Sequence, residues 1–192
     1  MTSDNVMGAG NQQERLDPNW IVGFVDGEGC FHVALNRQEA MRVGWQVLPE
    51  FRVVQHSRDR RVLEQLEAYF GCGKVTVNNG DRLEFRVRGL ENLLRVARFF
   101  EDYPLRTRKR YDFERFAQVL RIMETGAHLT QAGLEEVATL TLTMNRRESQ
   151  SASRILRDCT PIAANSVAVK IQSDPHGDVR RPREIAARRF PR

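Results

Sequence analysis

The stretch Trp20-Ile21-Val22-Gly23-Phe24-Val25-Asp26-Gly27-Glu28-Gly29 decides the reading of this chain. Asp17-Pro18 stands just ahead of it, a side chain suited to cap a helix followed by a proline suited to the first turn. The apolar run then reads as a helix stopped by Gly27 and Gly29. Gly23 and Gly27 are four apart and share one helix face. A glycine inside a helix costs about 1 kcal/mol relative to alanine, so two on one face call for close approach by a neighbouring helix. Asp26 and Glu28 fall at the helix C-terminus, where the negative end of the dipole disfavours carboxylates by about a few tenths of a kcal/mol each. A divalent cation there would reverse that penalty, with carboxylate, carbonyl, water and phosphate oxygens suiting Mg²⁺. Ordinary packing within the chain, for the glycines, and a solvated turn, for the acids, are the plainer alternatives.

Downstream, Cys30–Asn36 and Val43–Gln55 alternate apolar and polar residues, as strands buried on one face do. Arg60–Phe70 has helical spacing and ends at Gly71-Cys72-Gly73. Lys74–Asn78 and Arg82–Arg88 flank Asn79-Gly80, a dipeptide suited to a tight hairpin turn. In that hairpin Val75, Val77, Leu83, Phe85 and Val87 point one way, and Lys74, Thr76, Asn78, Arg82, Glu84, Arg86 and Arg88 the other. Helical patterns follow at Leu90–Phe100, at 110–125 and at Thr130–Met144. The order α-β-β-α-β-β-α-α-α predicts an α+β fold in which helices cover one face of a four-stranded sheet. Residues 1–14 read as a loose tail, 15–148 as the folded domain, and 149–192, Ser-rich and then Pro- and Arg-rich, as a basic and only partly ordered tail.

The 192 residues carry 30 Lys+Arg against 25 Asp+Glu, for a net charge of +5. The distribution is uneven: residues 1–29 hold −4, 30–104 hold +2 and 105–192 hold +7. Arginine outnumbers lysine 27 to 3, and guanidinium suits bidentate contacts to phosphate and guanine. No apolar run approaches the roughly 20 residues that span a bilayer. The three cysteines are scattered and odd in number, which excludes a disulfide framework and fits the cytoplasm or an organellar matrix. No cofactor loop or nucleophile triad appears. The polar face of the sheet, rich in arginine, suggests a surface laid along a nucleic-acid duplex.

Ile21-Val22-Gly23-Phe24-Val25-Asp26-Gly27-Glu28-Gly29 resembles the signature of the LAGLIDADG homing endonucleases position for position. The likeness runs over roughly residues 18–145. Phe51-Arg52-Val53-Val54-Gln55 resembles the strand that ends in that family's active-site glutamine. Tyr103-Pro104-Leu105-Arg106-Thr107-Arg108-Lys109-Arg110 resembles its Leu-x-Thr-Lys-Lys segment, and His128–Leu134 with Met144-Asn145 its closing helix.

The resemblance implies a saddle-shaped αββαββα module with extra C-terminal helices. It also implies a metal-dependent double-strand DNA endonuclease of the mobile-intron type. One motif in one chain implies a homodimer on a near-palindromic site, with Ile21, Gly23, Phe24, Asp26 and Gly27 at the interface. Glu28, where most members have Asp, would bind Mg²⁺ or Mn²⁺ together with the Gly27 carbonyl. Gln55 would orient water, and Arg108 or Lys109 would stabilise developing charge. DNA readout would fall to His32, Asn36, Gln46, Arg52, Lys74, Thr76, Asn78, Arg82, Glu84 and Arg86. Glu84 would either accept from cytosine or neutralise a neighbouring arginine. Two alternatives share the fold: an intron RNA maturase, and a catalytically silent DNA-binding module.

Overall fold

Asp17 opens the first helix, α1 (Pro18–Glu28), by accepting the backbone N–H groups of Asn19 and Trp20 at 2.8 and 3.0 Å on one carboxylate oxygen. Two donors that would otherwise lack intrahelical partners are thereby satisfied. The computed structural model describes residues 16–144 and 149–159, so the tails at 1–14 and 160–192 lie outside it. At Gly29 the backbone turns extended and enters β1 (Gly29–Arg37), which pairs antiparallel with β2 (Trp45–His56) from Gly29↔Val53 to Arg37↔Trp45.

A short 3-10 turn leads into α2 (Arg60–Phe70), and the hairpin β3 (Lys74–Asn79) and β4 (Arg82–Val87) completes an antiparallel sheet in the order β1-β2-β4-β3. Helices α3 (Leu90–Asp102), α4 (Lys109–Glu124) and α5 (Gln131–Leu142) follow, close to the spans their periodicity predicts. Among the described residues no helix is long and apolar enough to cross a membrane.

Period-2 patterning sends Phe31, Val33, Leu35, Phe51, Val53, Leu83, Phe85 and Val87 under the helices, where all are buried. Phe31 sits at the centre. Its ring lies 5.1 Å from Phe51 across the strands, and 5.3–5.5 Å from Phe100 of α3 and from Phe113 and Phe116 of α4. This aromatic cluster clamps the start of β1, and with it the end of α1, against two helices. Truncating such a phenylalanine to alanine costs about 3–5 kcal/mol.

Three expectations need correction. The hairpin turn is Gly80-Asp81, not Asn79-Gly80. An irregularity between Val77 and Asn79 lets Asn79 pair with Arg82, and Gly80 takes the left-handed conformation at φ 55°. Val77 shares a face with Leu83 but is 70% exposed, because the hairpin tip projects past its helical cover.

The packed body also does not stop at 148. Helix α6 (Gln150–Cys159) buries Ala152 and Ile155 completely or nearly so, and contacts α5 and β1. Ala152 and Ile155, with Leu156 partly buried beside them, carry too little hydrophobicity in a Ser- and Arg-rich segment to signal a packed helix, yet at i, i+3 and i+4 spacing they suffice to dock one.

Candidate active site and nucleic-acid interface

The C-terminus of α1 is tied to the segment before α4, 80 or more residues away in sequence. Asp26 accepts three hydrogen bonds there: from the Arg106 and Thr107 N–H groups at 2.8 and 3.2 Å, and from the Thr107 hydroxyl at 2.8 Å. Both carboxylate oxygens are used, so Asp26 is a clamp between two chain segments. The interface role expected for it is therefore taken up within its own chain.

Beyond that clamp the Lys109 ammonium donates to the Val25 carbonyl at 2.8 Å and to the Gly27 carbonyl at 3.2 Å. A cation thus sits at the negative end of the α1 dipole, where electrostatics favour one. Burial pushes the Lys109 pKa below its ordinary value, opposed by Cys30, Asp26, Glu28 and Asp112. Arg108, by contrast, is exposed at the start of α4. The sequence leaves Arg108 and Lys109 equal; the geometry brings only Lys109 to the helix end.

Glu28 is exposed beside that ammonium, with no hydrogen bond or ion pair of its own among the described residues. Since Gly29 stands opposite Val53, Gln55 lies at the same end of the β1–β2 ladder as Glu28, half-buried and paired in register with Leu83. Among the described residues no group of three or more His, Cys, Asp or Glu could hold a metal ion. One chain brings a single open carboxylate, which suits a hard divalent ion that also draws on water and phosphate oxygens. The Gly27 carbonyl already accepts Lys109, so its expected role as a ligand competes with that bond.

The outward face of α1 differs from expectation at one residue. Ile21 has no exposed surface and packs with Val22 and Val25 into the chain's own core, so it cannot belong to an interface. Trp20, Gly23, Phe24 and Gly27 instead form the outer stripe, at i, i+3, i+4 and i+7. Trp20 is 43% exposed and stacks on Phe24 at 4.9 Å. The sequence reading missed Trp20, although the spacing that links Gly23 and Gly27 includes it. A Cβ at Gly23 or Gly27 would meet nothing within 4 Å, so close packing inside the chain does not account for either glycine.

On the sheet face away from the helices the strands present the expected row of polar side chains. Asn36, Lys74, Thr76, Asn78 and Arg82 are exposed, and His32, Gln46, Arg52 and Arg86 are half-buried. Glu84 is the exception. At 2% exposure it accepts Asn78 Nδ2 at 2.8 Å and pairs with an Arg86 terminal nitrogen at 2.5 Å. That removes the cytosine-accepting role and leaves the neutralising one.

A second buried acid, Glu50, was not anticipated because two of its three arginine neighbours, Arg86 and Arg88, come from elsewhere in the chain. It takes Arg88 through Nε and a terminal nitrogen at 3.0 and 2.9 Å, and lies 3.2 Å from Arg52 Nε and 3.8 Å from Arg86 Nε. Those last two approaches are ion pairs without hydrogen-bond alignment. Arg52 and Arg86 stand directly opposite each other, a like-charge pairing that costs energy unless carboxylates intervene. Beside Glu50, His32 has its pKa lowered by burial and by Arg52.

Residues 21–120 match the family model described as LAGLIDADG endonuclease. The fold superimposes on the homing endonuclease I-TnaI with a TM-score of 0.71 at 48% identity, covering 74% of this chain and 97% of that one. It superimposes on half of the I-SmaMI LAGLIDADG homing endonuclease bound to cleaved DNA (TM-score 0.72, 33% identity, 77% of this chain and 50% of that one). I-SmaMI is also known on an uncleaved DNA target in the presence of calcium ions. The probable intron-encoded endonuclease 3 of Neurospora crassa is 30% identical over 155 residues, 79% of this chain. That relative is much longer, and this chain spans 29% of its length. A family match over more than half the chain, a shared architecture and a signature helix ending in an open carboxylate lead to one assignment: the chain belongs to the LAGLIDADG endonuclease family.

Proposed function

We propose that the protein is a site-specific double-strand DNA homing endonuclease, acting as a homodimer on a near-palindromic site and requiring Mg²⁺ or Mn²⁺. The observation that carries this reading is the end of α1. An unpaired Glu28 and a half-buried Lys109 meet there, on a helix whose two outward glycines face nothing in their own chain. A twofold pairing of the Trp20/Gly23/Phe24/Gly27 stripes would give those glycines a purpose and bring two Glu28 carboxylates side by side. The match to half of DNA-bound I-SmaMI supports the same count, since two copies of this chain equal one of that.

A divalent ion held by Glu28 from each copy, with water and phosphate oxygens, would supply Lewis-acid stabilisation of the phosphodiester under attack. Lys109, anchored by two carbonyls, keeps a cation beside the scissile phosphate with no reorganisation at the moment of reaction. Gln55 orients water from the neighbouring end of β2. Asp26 fixes the segment that carries Lys109, and Arg108 is free to meet backbone phosphate. Readout of the duplex falls to the polar sheet face, where Arg52 and Arg86 are aimed by Glu50 and Glu84. The site of action follows the host gene, in the cytoplasm or an organellar matrix.

The test is linearisation of plasmids bearing a target library, with Mg²⁺ or with EDTA, by the wild type and by Glu28→Gln. Metal-dependent cutting by the wild type, and binding without cutting by the variant, are the expected results. Failure of both to cut, with either retaining an intron RNA, would overturn the reading in favour of a maturase.

A further inference from the structure

At the end of the β1–β2 ladder farthest from Glu28, α6 and the strands enclose an open groove of about 820 Å³. Its rim carries three guanidinium groups: Arg37 from β1, and Arg154 and Arg157 from α6. None has a carboxylate partner among the described residues. This differs from the sheet face, where Arg52, Arg86 and Arg88 all pair with Glu50 or Glu84. Arg37 is held in place. Its guanidinium lies 5.6 Å from the Trp45 ring centroid, and Gly44 packs in van der Waals range of it. The left-handed Gly44 backbone, at φ 70°, favours glycine at that position.

Arg154 and Arg157 are held by the docking of α6, whose Ala152 and Ile155 are fully buried on the opposite side. Gln150 and Ser151 add neutral polar groups along the same groove. Asn36 belongs both to this groove and to the polar sheet face, so the two surfaces are continuous.

We propose that this groove grips the phosphate backbone at the outer edge of each DNA half-site. The proposal rests on the DNA-binding reading of the sheet. Guanidinium groups with no carboxylate to aim them at a base suit the phosphate backbone. Arg37 lies eight residues along β1 from Gly29, about 26 Å at ~3.3 Å per residue, which is about eight base-pair steps. The groove therefore meets the duplex about eight pairs outward of Glu28, where sequence-independent contacts fix register.

The test uses duplexes selected by the wild-type protein from a random library in EDTA, full length and trimmed by a few base pairs at each end. On the full duplex, Arg154→Ala/Arg157→Ala is expected to flatten the slope of log K against log salt by about two per protomer. Arg154→Lys/Arg157→Lys is expected to restore it, which a folding defect would not allow. On the trimmed duplex the wild type is expected to behave like the alanine variant. An unchanged slope, or equal loss on both duplexes, would overturn the groove assignment while leaving DNA binding intact. Loss of affinity for structured RNA alone would overturn it too. No enriched duplex at all would overturn the DNA reading itself, and the groove with it.

Discussion

Gly23→Ala should move two quantities in opposite directions. Within one chain the new Cβ meets no atom within 4 Å, so it creates no clash. It removes the conformational cost of glycine in a helix interior, which should stabilise the isolated chain by roughly 0.5–1 kcal/mol. For a body of this size that is about 1–4 °C in melting temperature. In a twofold dimer through α1, each copy adds a methyl to a surface that has room for hydrogen alone. Overpacking costs about 1–3 kcal/mol per site, and two sites per dimer weaken association by about 30-fold or more. Sedimentation equilibrium over a concentration series measures the second quantity. Thermal melts at concentrations where the dimer is dissociated measure the first. A stabilised chain whose dimer constant is unchanged would place the interface elsewhere. A destabilised chain would mean that the empty space outside Gly23 is not empty.

Other perturbations probe the rest of the site. Glu50→Gln removes the carboxylate shared by three arginines. Chain stability should fall by about 1–3 kcal/mol, while affinity for random-sequence DNA rises and its salt dependence steepens, as read by titration at two salt concentrations. Asp26→Asn leaves one accepting oxygen for three donors, so single-turnover cleavage should slow at least tenfold with the DNA dissociation constant unchanged; parallel loss of binding would contradict the clamp. Burial lowers the pKa of His32 and of His128 below the 6.5 of the free side chain. The unfolded chain therefore takes up these protons first, and their contribution to stability is complete above about pH 6.5 and lost as pH falls towards the lowered values. Melting temperatures of the wild type should drop on acidification more than those of His32→Gln/His128→Gln, and identical curves would refute the assignment.

Local periodicity carries most of the fold because each strand and helix here satisfies its own pattern. Phe31, Phe51 and Phe85 fall on alternate positions and are buried; Leu63, Leu66 and Phe70 fall on one helix face and are buried as well. What the pattern cannot show is which neighbour a side chain meets. Ile21 and Phe24 look equivalent in the apolar run, yet α1 buries Ile21 completely and leaves Phe24 half-exposed at the core's edge. Asp26 reads as an acid at a helix end, but its partners Arg106 and Thr107 come from 80 and 81 residues away. Glu50 looks like any strand carboxylate until Arg88, just past the end of β4, is brought across to it. Helix α6 escapes for a different reason, since Ala152 and Ile155, with Leu156 partly buried beside them, hold it in a segment otherwise rich in serine and arginine.

The two acids on the sheet face pose a physical question that affinity alone does not answer. Every carboxylate there subtracts from the attraction that a polyanion feels, and replacing a buried ion pair with apolar residues is often neutral or stabilising. Val54, which stands opposite Glu84, shows that an apolar side chain fits this face. Neither affinity nor stability therefore explains why Glu84 is buried at 2% exposure between Asn78 and Arg86. Direction does. An unpaired arginine on a strand samples many rotamers and meets phosphates as readily as bases, whereas one tied to a buried carboxylate presents its remaining N–H groups at a fixed angle. The face gives up charge for aim where bases are to be read. The groove beside α6, with its unpaired guanidinium groups, keeps its charge where only phosphates need to be held.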